Sequence, residues 1–216
     1  MATALSSFLP FVLPEVPGCP GPLAEQRVLT ACIEFCERTQ YWRYESDPMP
    51  MEAGIDEYEV DIPSGSQLVS IIDPIKFNGA KIYGTTKELL DKNESDDWQD
   101  NQGDTPFAYY NKSLGVFRPV PYPETTISDA IKLDLALKPL PDATTVEDFL
   151  FTEFFQAIAD GALAKLFALP GKAWGDPTMS AHHAGLFDDA MNKAATKAKS
   201  GFRAQERYSK SKAHFF

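Results

Sequence analysis

Cysteine is scarce. There are three, Cys19, Cys32 and Cys36, too few and too odd in number for a disulfide framework, so synthesis in a reducing cytosol is expected. No apolar run approaches the ~20 residues that span a bilayer, so no membrane partner is expected. The stretch Leu5–Leu13 is apolar, but it is short, interrupted by Pro10 and without a basic lead, which argues against a secretory signal. Neither Gly-x-x-x-x-Gly-Lys nor Gly-x-Gly-x-x-Gly occurs, so nothing supports nucleotide hydrolysis. Positive charge is also short: 20 Lys and Arg face 31 Asp and Glu in 216 residues, a net of 20 − 31 = −11. A protein that coats nucleic acid must neutralise phosphates, and this balance excludes that class for the chain as a whole.

Hydrophobic residues are present at 44%, the globular norm. The charge is unevenly divided. Residues 1–160 hold 11 basic and 27 acidic side chains, a net of −16, whereas residues 161–216 hold 9 and 4, a net of +5. Such a chain can associate head to tail with itself or with partners of opposite sign, and a solvated basic helix is equally compatible.

The pattern predicts an α+β fold: a helical bundle formed by N- and C-terminal helices with a β-rich insertion. Residues 1–21 read as an extended proline-rich arm, because Pro10, Pro14, Pro17 and Pro20 remove donors and disfavour helix. Its apolar residues Phe8, Leu9, Phe11 and Leu13 need cover from their own domain or from a neighbouring subunit. Residues 22–49 hold the first bundle helix, ending near Gln40, with Val28, Ala31, Cys32, Phe35 and Cys36 on one face.

Residues 50–140 form the insertion. Ile55–Ile62 alternates as a strand, and Gln67–Phe77 turns back through Asn78-Gly79 into Ala80–Tyr83. A hairpin is expected around Asn111-Lys112, and Pro119, Pro121 and Pro123 suggest a stiff connector. Ile131–Leu137 is the cleanest period-2 strand. Residues 141–202 return to helix. Thr144-Thr145-Val146-Glu147 has the form of a capping box with Thr144 as N-cap, opening a helix that repeats its apolar residues every fourth position to Leu166. Gly161 inside it implies a close helix contact. Asp176-Pro177 starts the last helix, and residues 203–216 form a basic C-terminal tail.

Candidate chemistry is thin. Cys32 and Cys36 lie one turn apart on the apolar stripe, where small core residues are the better reading than two thiolate ligands. His182-His183 offers a general base with no nucleophile motif nearby, and adjacent helical residues diverge by about 100°. The acidic loop Asp91–Asp104 lacks Asp-x-Asp-x-Asp-Gly and reads as solvated rather than calcium-binding. No cofactor, metal or catalytic residue is expected. An α+β enzyme or ligand-binding protein of unknown substrate stands as the alternative function.

Three stretches carry a resemblance: Pro20-Gly21-Pro22 leading into Ala31-Cys32-Ile33-Glu34-Phe35-Cys36-Glu37-Arg38-Thr39-Gln40-Tyr41-Trp42; Ala157-Ile158-Ala159-Asp160-Gly161-Ala162-Leu163-Ala164-Lys165-Leu166; and Leu169-Pro170-Gly171-Lys172-Ala173-Trp174. The chain resembles the head-to-tail adaptor (connector) proteins of short-tailed bacteriophages. The likeness sits in residues 20–62 and 139–210, and the middle strands share only the layout. It implies a structural virion protein of the head–tail junction, not an enzyme. It further implies a homo-oligomeric ring, usually of twelve copies, that joins the phage portal protein to tail nozzle or tail fibre proteins. DNA would pass through the lumen during ejection without sequence-specific binding. In this family the C-terminal segment tends to dock on the portal, which points to Arg203, Arg207, Lys210, Lys212, Phe215 and Phe216 here.

Overall fold

A computed structural model describes residues 2–94 and 97–201. The chain opens with a short strand, β1 (Ala2–Ala4), and a helical turn at Leu5–Phe8. It continues through α1 (Leu9–Val12) and a second turn at Leu13–Glu15. Residues 5–15 are therefore wound into helical turns rather than extended as the prolines suggest. Pro10 and Pro14 each occupy the first turn of their helical segment, where a missing amide donor costs nothing. Phe8, Val12 and Val16 are fully buried in the chain's own core.

Helix α2 (Gly21–Thr39) carries the expected stripe, with Val28, Ala31, Cys32, Phe35 and Cys36 all buried. It stops where Gln40 turns left-handed (φ +50°) and returns its amide to the Cys36 carbonyl. The sheet begins at once, so the boundary lies earlier than residue 50: β2 (Arg43–Glu45), β3 (Met49–Met51), β4 (Tyr58–Glu59), β5 (Ser66–Phe77) and β6 (Ala80–Thr85) follow. After α3 (Lys87–Asn93) come β7 (Ala108–Ser113), β8 (Val116–Val120) and β9 (Ile127–Pro139). The described strands of this sheet run β2-β9-β5-β6-β7-β8-β4, with β3 also on β9. Pairings are antiparallel except β6 with β7, whose parallel crossover contains α3. The sheet curls around Met51, Tyr58, Ile75, Phe77, Tyr109, Phe117, Ile131, Leu133, Leu135 and Leu137.

Several strand details differ from the pattern. Only Tyr58 and Glu59 of the expected 55–62 strand pair in register with β8, because β8's hairpin partner ends at the Leu114-Gly115 turn and the ladder runs out. That turn lies two residues beyond Asn111-Lys112, where Gly115 supplies the positive φ (+83°). Pro119 is part of β8, on a stretch that β4 does not cover, so its missing donor breaks no ladder.

The capping box is overturned too. Thr145–Glu147 is a strand, β10, paired with β1, and the Leu5 amide donates to the Thr144 carbonyl. The following helix is split into α4 (Asp148–Thr152) and α5 (Phe155–Phe167). At the break Phe154 leaves helical geometry (φ −128°) and packs 4.6 Å from Phe35 and 4.8 Å from Tyr41. α6 (Pro177–Lys199) starts as expected: the Asp176 carboxylate accepts from Thr178 and Met179 amides.

The molecule is thus mixed α and β with six helices and a curled sheet. Helices α2, α5 and α6 share one core with the N-terminal segment, and the sheet encloses a second. Trp42 packs against both. The ion pair Lys138–Glu37 (2.5 Å) and the Gln40–Ser70 hydrogen bond (3.1 Å) also join sheet to helix.

Candidate assembly surfaces

Gly161 lets the helices meet. A Cβ there would lie 2.9 Å from the Phe187 ring and 3.0 Å from Ala31 Cβ, so α5 approaches α2 and α6 too closely for a side chain. The residue before it, Asp160, is buried in an otherwise apolar stretch and faces His183 of α6. His183 donates from Nδ1 to Asp160 Oδ1 at 2.9 Å, and its ring stacks on Phe167. Ser180 spends its hydroxyl on the Ala164 carbonyl (2.8 Å). These bonds clamp α5 to α6. The sequence pattern singled out His183 but missed its partner; the signal was there, a lone acid inside Ala157–Ala164.

Asp160 also lines a groove of about 400 Å³ between α5 and α6, together with Glu153, Phe154, Phe155, Leu186 and Lys193 among others. Its apolar surface continues through Phe155 to Phe11, whose ring centroid is 4.8 Å away. Phe11 also meets Phe151, which packs edge-on against Phe8. The four residues anticipated as a subunit contact therefore separate. Phe8 is consumed by its own core, Leu9 and Leu13 are half-buried, and Phe11 is 39% exposed. Neither Phe155 nor Leu186 was anticipated: the break between α4 and α5 beside Phe155 has no local signature, and Leu186 lies off the apolar stripe of α6.

One end of the groove is crossed by a tether. Glu153 accepts from the Tyr41 hydroxyl (2.7 Å) and from Lys197 (2.9 Å), and Lys197 sits over the Tyr41 ring. The hydrogen bonds from Tyr41 and Lys197 hold the Glu153 carboxyl below its ordinary value.

The sheet carries its own exposed surface. Leu114, at the β7–β8 turn, is 64% exposed and opens a shallow cleft shared with Glu59, Val60 and Ile62. The acidic loop is tied down by its own carboxylates. Asp91 accepts from Trp98 Nε1 (2.8 Å), and Asp104 accepts from the Thr125 amide (2.8 Å) and hydroxyl (2.6 Å). Hydrogen bonds from Thr125 lower the Asp104 carboxyl. Cys32 and Cys36 are core residues whose thiols burial pushes up. Among the described residues no cluster of three or more His, Cys, Asp or Glu is arranged to hold a metal ion, and no helix is long and apolar enough to cross a membrane.

Comparison with known families gives a match to the SU10 adaptor protein family over residues 23–210. The chain belongs to the SU10 adaptor protein family. The match spans α2 from residue 23, the intervening sheet, α3 to α6, and the motif resemblance apart from Pro20-Gly21-Pro22. As an SU10 adaptor the chain is a phage structural protein and a virion component. No curated protein matches it. The anticipated docking residues of this adaptor, Arg203, Arg207, Lys210, Lys212, Phe215 and Phe216, lie outside the described residues.

Proposed function

We propose that this SU10 adaptor assembles as a ring at the head–tail junction, bridging the phage portal and the tail components, with DNA crossing its lumen. The observation that carries the reading is the family match over residues 23–210. The chain's physical character supports it. A net of −16 over residues 1–160 suits a wall that DNA passes without adhering, because like charges repel. Helices α2, α5 and α6 serve as a bundle that carries the sheet as a second layer. The basic tail 203–216, with Arg203, Arg207, Lys210 and Lys212 and the aromatic pair Phe215-Phe216, is the portal-docking element. Aromatic anchors and a positive rim fit an acidic receiving surface.

The test is electron microscopy of the purified chain mixed with its portal. A symmetric ring at one end of the portal is the expected result, and a monomer that ignores portal sinks the proposal. A chain lacking residues 203–216 should lose docking, and intact docking would remove the tail from the mechanism. If charge carries the docking, raising salt from 0.05 to 0.5 M should weaken it strongly.

A further inference from the structure

Two exposed surfaces on this chain complement each other. The first is the groove between α5 and α6. Its wall residue Leu186 is 43% exposed, and the apolar surface runs on to Phe11. From residue 190 to 199, α6 carries Lys193, Lys197 and Lys199 and no acid. Lys197 is engaged by Glu153, so Lys193 is the groove-lining cation with no ion pair among the described residues.

The second surface is a knob on the sheet. Leu114 is the most exposed of the large hydrophobic residues described, and its turn abuts β4, the edge strand. The Val60 amide donates to the Gly115 carbonyl (2.8 Å), which fixes the turn against that edge. Glu59 and Asp61 flank the knob, both exposed and both without an ion pair among the described residues. Lys112, the nearby cation on β7, is already paired with Glu57.

We infer that the groove between α5 and α6 receives the Leu114 turn and the Glu59–Asp61 edge of a second copy of this chain; the inference rests on the ring reading above. Leu114 enters between Phe155 and Leu186, and the Glu59 and Asp61 carboxylates meet Lys193. Two like surfaces cannot substitute. Opposed β4 edges would set acid against acid, the usual device that keeps edge strands apart. A groove facing a groove leaves both unfilled. Because knob and groove are different patches on one chain, each copy gives one and offers the other. Such a heterologous contact propagates from copy to copy and closes into a ring when the rotation permits.

Charge reversal in the full chain tests this. Lys193→Glu alone, and Glu59→Lys with Asp61→Lys, should each lower the ring fraction on portal about tenfold, read by native mass spectrometry and electron microscopy. The chain carrying all three reversals should recover the rings. Leu114→Asp should abolish them. All four positions are exposed, so circular dichroism melts should match the unmodified chain and exclude misfolding. Removing residues 203–216 should leave copy–copy contact intact in solution; if that truncation empties the contact and Leu114→Asp does not, the chain's own tail is the occupant and the inference falls. It also falls if both charge reversals assemble normally. Failure of the unmodified chain to form any ring would instead overturn the ring reading, and the inference with it.

Discussion

At one crossing the three long helices approach over small residues, whereas the curled sheet closes over large ones throughout. Ala31 and Gly161 sit at the crossing of α2, α5 and α6, with Phe187 against them. Inside the sheet the contacts are Leu133, Leu135, Leu137, Ile75, Phe77 and Phe117. Surfaces differ in the same sense. Of the seven large hydrophobic residues exposed among those described, Ile55, Tyr83, Leu89, Phe107 and Leu114 belong to the sheet region and only Phe11 and Leu186 to the helices. The helical half is a tight fit that tolerates little change. The sheet half presents apolar surface outward, as an assembly protein must somewhere along its chain.

The strongest way to break this contrast is to cut a large side chain from each core. Phe35→Ala removes a ring packed 4.6 Å from Phe154 and should cost ~3–5 kcal/mol. Leu135→Ala in β9 should cost ~2–5 kcal/mol. Because Trp42 belongs to both cores and β9 lies along α2, calorimetry should show one transition lowered by either change. Two transitions, each moved by only one of the substitutions, would make the halves independent.

A smaller effect sharpens the comparison within the helices. Gly161→Ala forces a Cβ to 2.9 Å from the Phe187 ring. Overpacking at ~1–3 kcal/mol outweighs the ~1 kcal/mol that Ala gains over Gly in a helix, so a net loss of about 1 kcal/mol is expected. Gly185 on α6 has open space around it, and Gly185→Ala should instead stabilise by up to ~1 kcal/mol. Thermal melts of the pair should move in opposite directions; a shared sign would remove the argument for close approach at Gly161.

What could be read in the sequence was what is local. The α2 stripe, the Asn78-Gly79 turn with both residues at positive φ, the alternation of β9 and the Asp176 cap are each set by neighbours in the chain. The misses share a long-range cause. Thr144–Glu147 has the spacing of a capping box, but its backbone is claimed by Ala2–Ala4, far away in sequence. The four-residue apolar repeat is interrupted at Phe154 because Phe35 and Tyr41, on another element, take its ring. Burial of Asp160 makes sense only once α6 brings His183 to it. The knob and groove escaped for the same reason, since each is assembled from two or more elements.

The least effect expected is at the Tyr41–Glu153–Lys197 tether, which binds the end of α2, the break before α5, and α6. Tyr41 and Lys197 hold the Glu153 carboxyl below its unfolded value, so the carboxylate form favours the folded state. That contribution is complete above the unfolded pKa, about 4.3, and is lost as pH falls through the lower folded value. Glu153 is 45% exposed, so solvent screening keeps the tether below ~1 kcal/mol. Glu153→Gln should therefore lower the melting temperature by no more than ~4 °C at pH 7, and the gap from the unmodified chain should narrow below about pH 4. A gap that stays constant with pH would mean that the side chain acts through packing rather than charge. The helices would then draw no electrostatic help from this ion pair, leaving the Asp160–His183 bond and the close packing at Gly161 to hold α5 against α6.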